Sequence, residues 1–89
     1  MIHAREDYNR IQDPVGKIAD DEPVFMVRAQ DKLAPAVMRH WAMLQRLIGG
    51  DPKMAQMVED HALKAEEWQR ENGCKVADII TTRTPADSK

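Results

Sequence analysis

The sequence predicts a mainly α protein: an antiparallel helical hairpin behind an extended N-terminal arm, with possible short strands, assembled as a homo-oligomer. Three observations predict it. Apolar residues recur at three- and four-residue steps over 36–48 and again over 54–68. The link between those runs is Gly49-Gly50-Asp51-Pro52, so short that the two helices must lie antiparallel. Finally, two helices alone cannot enclose a core. Ordering 89 residues costs on the order of 130 kcal/mol, at about 1.5 per residue, so burial must be efficient or shared between copies.

Taken in order, residues 1–34 form the arm. Within it Asp13-Pro14-Val15-Gly16 reads as a turn. Val24-Phe25-Met26-Val27 is a short apolar run behind Pro23; the β-branched valines favour an extended conformation, as a buried strand or as an arm laid over the helices. The hairpin covers 35–73. Its first helix runs from about Pro35 to Ile48, with Ala36, Val37, His40, Trp41, Leu44, Leu47 and Ile48 as a wide apolar face. Gly49-Gly50 stops it. Asp51 is a good N-cap for the second helix and Pro52 suits its first position, where the missing N–H costs nothing. Met54, Met57, Val58, His61, Ala62, Ala65 and Trp68 make its apolar stripe, and Asp60–Lys64 and Glu66–Arg70 have i,i+4 spacing. Asn72-Gly73 ends it with a left-handed residue, after a length of about 30 Å. Lys75–Ile80 is a second candidate strand or arm, and 81–89 a loose tail. The expectation is one small domain over 1–80. Met43 and Leu63 lie off the main stripes, and a second copy of the chain is the economical cover for them.

Charge is distributed unevenly. The first helix holds Arg39 and Arg46 and no acid; residues 51–73 hold three basic and six acidic side chains. A positive helix beside a negative one suits antiparallel packing and leaves any anion site near the first. The net charge of −2 argues against a duplex-DNA binder. No apolar run approaches the roughly 18 residues of a membrane span, and no apolar stretch follows the charged N-terminus as a secretory signal requires. A single cysteine, Cys74, excludes an internal disulfide and a cysteine-cluster zinc site.

No catalytic motif is present: no G-x-S-x-G, no phosphate-cradling glycine loop, no H-E-x-x-H. The expectation is therefore a protein without catalytic residues, cofactor or metal. Arg28, Gln30, Asp31 and Lys32 are delivered just before a helix start, where backbone N–H groups attract anions. Arg28 offers a planar fork to a phosphate, Lys32 a point charge, Gln30 a donor–acceptor pair for a base edge, and Asp31 an acceptor for a ribose hydroxyl. The competing reading is that Asp31 caps a helical turn while Arg28 and Lys32 pair with Asp20-Asp21-Glu22. Tyr8, or one of the tryptophans, could stack on a base with Arg10 on a phosphate; alternatively Tyr8 and Ile11 could simply anchor the arm. His40 and His61 lie on apolar faces that an antiparallel hairpin could bring together. A metal there would need further ligands, with Cys74 or Glu66 the only candidates, so core or interface histidines are expected; His40 could instead donate to a bound anion. Met38 and Met43 are the methionines placed to reach a partner.

The pattern Arg10-Ile11-Gln12-Asp13-Pro14, then Asp21-Glu22-Pro23-Val24-Phe25 and Arg28-Ala29-Gln30-Asp31-Lys32-Leu33-Ala34-Pro35, then Trp41-Ala42 and Gly50-Asp51-Pro52 resembles short uncharacterised proteins of tailed-phage genomes, over about residues 8–70. That resemblance implies a small phage protein acting in the cytoplasm of a bacterial host. Phage proteins of this size include sponges, homo-oligomers that trap the nucleotide signals of host immune systems such as CBASS and Thoeris. By analogy of size, origin and charge placement, the leading expectation is a binder that sequesters a small phosphate-bearing nucleotide through Arg28, Lys32, Gln30, Asp31, Tyr8, Arg10 and His40. The alternative is a protein-interaction module that inhibits a host protein or serves phage assembly.

Overall fold

The computed structural model describes residues 1–8 and 13–77. It divides into two compact units, with the boundary between Met26 and Val27. The tail over 81–89, the end of the Lys75–Ile80 segment, Arg10 and Ile11 lie outside the described residues.

In the first unit, strands β1 (Ile2–His3) and β2 (Pro23–Val24) pair in parallel, Ile2 opposite Pro23 and His3 opposite Val24. The Ile2 N–H donates to the Glu22 carbonyl at 2.8 Å and the Ala4 N–H to that of Val24 at 3.0 Å. Only the first residue of the predicted extended run is therefore strand. Pro23, with no N–H, sits at the start of β2, where a strand tolerates it. The predicted turn is present: the Gly16 N–H donates to the Asp13 carbonyl at 3.0 Å, with Gly16 at φ +73°. Asp13 also accepts from the Ile18 N–H at 2.7 Å, a side-chain closure that suits aspartate in turns. A single 3₁₀ turn covers Glu6–Tyr8.

The second unit is the hairpin. Helix α1 spans Ala34–Leu47 and α2 spans Pro52–Asn72, and the two pack against each other. Local chemistry marks the ends. Asp31 closes the turn that leads into α1: its carboxylate accepts from the Leu33 N–H at 2.9 Å and its carbonyl from the Ala34 N–H at 2.9 Å, and Pro35 stands in the first turn of the helix. At the C-terminus of α1, Gly49 (φ +78°) donates to the Arg46 carbonyl and Gly50 to that of Gln45. These are the two reversed bonds of a Schellman ending, and they need a left-handed residue where Gly49 stands. Asp51 caps α2 by accepting from the Lys53 N–H at 2.8 Å. Gly73 (φ +83°) closes it, donating to Gln69 at 2.7 Å.

Packing departs from the predicted stripes. The buried residues of the hairpin are Ala34, Pro35, Ala42, Ala55, Ala62 and Ala65. Large apolar side chains at predicted core positions are exposed instead: Val37, Trp41, Leu44, Leu47, Ile48, Met54, Met57 and Trp68. The helices meet along an alanine seam because small side chains let two backbones approach closely. Charge fixes one flank of that seam. Arg39 binds Glu66 through two hydrogen bonds of 2.7 Å, and Arg46 reaches Glu59 at 3.2 and 3.3 Å. The expected pairing of a positive with a negative helix is thus made across the seam. It takes Glu66 away from the predicted pair with Arg70, while Asp60 accepts from Gln56 at 2.9 Å and makes no ion pair with Lys64.

The approach to α1 is tied down by α2. The Gln69 amide donates to the carbonyls of Ala29 (2.8 Å) and Asp31 (2.9 Å). Lys32 and Lys75 complete the tie, the Lys32 N–H donating to Lys75 and the Lys75 N–H to Gln30. No helix among the described residues is long and apolar enough to cross a membrane.

Candidate functional site

Residues Arg28–Lys32 arrive where the sequence places them, directly before α1. Arg28 and Lys32 are exposed and make no ion pair among the described residues; Asp20-Asp21-Glu22, the suggested partners, belong to the other unit. Gln30 and Asp31 are half-buried, and the Gln30 backbone carbonyl accepts from the Lys75 N–H at 2.9 Å. The Asp31 carboxylate closes the turn before α1 by accepting from the Leu33 N–H, in place of the ribose contact.

That turn changes the electrostatics of the helix start. The Ala34 N–H is bonded to Asp31, Pro35 has none to offer, and a carboxylate stands beside them. An anion would find few donors there, so the cationic side chains, and not the helix terminus, are the attractive element.

The other candidates are dispersed. His40 is exposed on α1 and lines neither hollow described below. Tyr8 belongs to the first unit, where it is buried with the Arg5 guanidinium 5.0 Å from its ring centre. Arg5 in turn binds Asp7 at 2.9 and 3.0 Å. One face of Tyr8 is therefore occupied by a cation of its own chain, which suits the anchoring reading of this residue. Among the described residues no three of His, Cys, Asp and Glu come together as a metal would require.

Each unit has a hollow of its own. In the first, Ile18, Val24, Phe25 and Met26 line an apolar depression of about 360 Å³. In the second, a cleft of about 250 Å³ opens between Val27 and Ala29 on one side and Met38, His61, Lys64 and Trp68 on the helices. Sequence reasoning offered a tryptophan for stacking without choosing between Trp41 and Trp68, and it did not single out Lys64 as a binding residue. The signal was present, because 61, 64, 65 and 68 share one face of α2, but His61, Ala65 and Trp68 were read as packing and Lys64 as the partner of Asp60.

A further exposed feature of the hairpin is apolar. Val37, Trp41, Leu44 and Ile48 follow one another on α1 at steps of four, three and four, and Met54 and Met57 lie beyond the turn on α2. Relative to the alanine seam these positions fall on the flank opposite Arg39, Arg46, Glu59 and Glu66. None of the six is charged.

Comparison with protein-family models, with curated proteins and with solved structures gave no match.

Proposed function

We propose that this chain is a non-catalytic binding protein that works as a homo-oligomer and sequesters a small phosphate-bearing ligand, a cyclic nucleotide signal of host anti-phage immunity in the bacterial cytoplasm. One observation carries the assembly: the hairpin buries nothing larger than alanine and proline, while six apolar side chains form an uncharged face. Such a face needs cover whenever the chain is folded. A second copy is always present to supply it, and a two-fold contact sets the same patch against itself, without repulsion where the patch carries no charge. The ligand class is supported by exposed Arg28 and Lys32, which make no ion pair among the described residues, and by the phage analogy. With few free N–H donors at the start of α1, binding falls to side chains.

The same apolar face favours a second reading, a module that docks on a host or virion protein. Two measurements separate them. Light scattering is expected to give a multiple of the 10.2 kDa chain mass; a cooperatively melting monomer removes the proposal. Calorimetry with a panel of cyclic dinucleotides and cyclic ADP-ribose isomers is expected to show binding to at least one, weakened tenfold or more by Arg28→Ala. No heat from any of them, with a stoichiometric host protein captured instead, establishes the second reading.

A further inference from the structure

The cleft of the second unit has a chemistry that the proposal above does not use. Its inner walls, Val27, Ala29, Met38 and Ala65, are apolar. Trp68 is partly exposed at its edge. His61, Lys64 and Trp68 occupy i, i+3 and i+7 of α2, so an imidazole, an ammonium and an indole surround one opening. Lys64 is exposed and has no ion pair among the described residues; Asp60, its expected partner, accepts from Gln56 instead. The wall opposite the helices is held in place: the Gln69 amide grips the Ala29 carbonyl at 2.8 Å.

We infer that this cleft holds a single nucleotide unit, a planar base against the Trp68 indole with its phosphate at Lys64 and His61. Apolar walls with an aromatic edge accept the face of any base, and a cation at the mouth selects bases that carry an anion. Size limits the occupant. At about 250 Å³ the cleft falls below the roughly 300–1,000 Å³ of pockets for drug-sized ligands, so it takes one base and not a whole dinucleotide. The assignment deepens the sequestration reading and rests on it for the ligand class. It places recognition of the base at Lys64 and Trp68, leaving Arg28 and Lys32, which do not line the cleft, to the remaining phosphate.

The protein has two tryptophans, so Trp41→Phe leaves Trp68 as the sole indole reporter. Adenosine monophosphate is expected to quench its emission saturably, with adenosine and inorganic phosphate each at least tenfold weaker. Lys64→Gln, a change at an exposed position, is expected to weaken adenosine monophosphate at least tenfold without moving the melting temperature. Absence of saturable quenching, or equal affinity in Lys64→Gln, overturns the cleft assignment. The same variants titrated with cyclic dinucleotides keep the two ideas apart. Binding lost in Arg28→Ala but kept in Lys64→Gln and in a folded Trp68→Leu overturns the cleft and spares sequestration. Saturable mononucleotide binding with no dinucleotide bound does the reverse.

Discussion

The hairpin has two flanks, and they are finished differently. On one, Arg39–Glu66 and Arg46–Glu59 tie α1 to α2 within the chain. On the other, Val37, Trp41, Leu44, Ile48, Met54 and Met57 face outward. Charge pairing across a seam satisfies both partners inside one copy. An apolar stripe is satisfied only by what covers it, and within this chain the second flank stays open: Ile48 is 79% exposed.

The sharpest way to break that comparison is to place one acid on each flank. Leu44→Glu puts a charge in the middle of the apolar stripe. It is expected to cost several kcal/mol of association if the stripe is covered, because the carboxylate would have to be buried unpaired. Leu63→Glu changes an exposed leucine for which the sequence suggested cover by a second copy; the structure sets it apart from the apolar stripe, so the mass is expected to stay unchanged. Light scattering at matched concentrations reads both, and identical masses for the two variants would mean that the flanks do not differ.

Next in size is the seam between the flanks. Ala62 has no exposed surface and stands where the helices meet. Ala62→Leu forces them apart and is expected to cost about 1–3 kcal/mol in thermal unfolding. An equal or higher melting temperature would show that the alanine seam is loose, and that the large side chains outside it are free to move inward.

The helices and their ends were legible in the sequence because their causes are local. Asp51, Pro52, the glycine pair and Asn72-Gly73 act on backbone groups within a few residues of themselves, and the structure places α1 and α2 within about a residue of the expected limits. The choice of seam was not legible. Apolar residues cover much of the α1 circumference, and hydrophobicity ranks Trp41 and Leu44 above Ala42. Only the facing helix decides that alanines make the closest approach. Nor could sequence show that Gln69 would reach carbonyls 38 and 40 residues away, or that β1 would pair with β2. Of the candidate residues, Arg28–Lys32 do lie directly before α1, as the sequence placed them, but the Asp31 carboxylate is engaged by the Leu33 N–H and Tyr8 lies in the other unit. Cleft formation at Lys64 depends on a loop laid over α2, which no periodicity reveals.

A smaller effect tests the turn that sets the flanks in register. Gly49 adopts φ +78° with nothing near the position a Cβ would take. Gly49→Ala is therefore strained through its backbone alone, and a loss of about 1 kcal/mol is expected by chemical denaturation. Gly49→Asn, which tolerates the left-handed region better, is expected to recover part of it. Equal losses from both would point to a steric cause.

The smallest effect belongs to the paired flank itself. Its hydrogen bonds to Arg39 hold the Glu66 carboxyl below its ordinary range. A carboxylate whose pKa is depressed by folding contributes stability above its unfolded pKa and loses it as the pH falls through the folded value. The contribution is therefore complete at neutral pH and disappears in acid, below the usual carboxylate range. Both side chains are well exposed, so solvent and salt weaken the pair. Glu66→Gln is expected to lower the melting temperature slightly at pH 7 in low salt, less in high salt, and not at all once the acid limb is passed. If the two proteins instead differ equally at every pH and salt concentration, Glu66 acts through packing against α1, and the paired flank is held by shape like the alanine seam beside it.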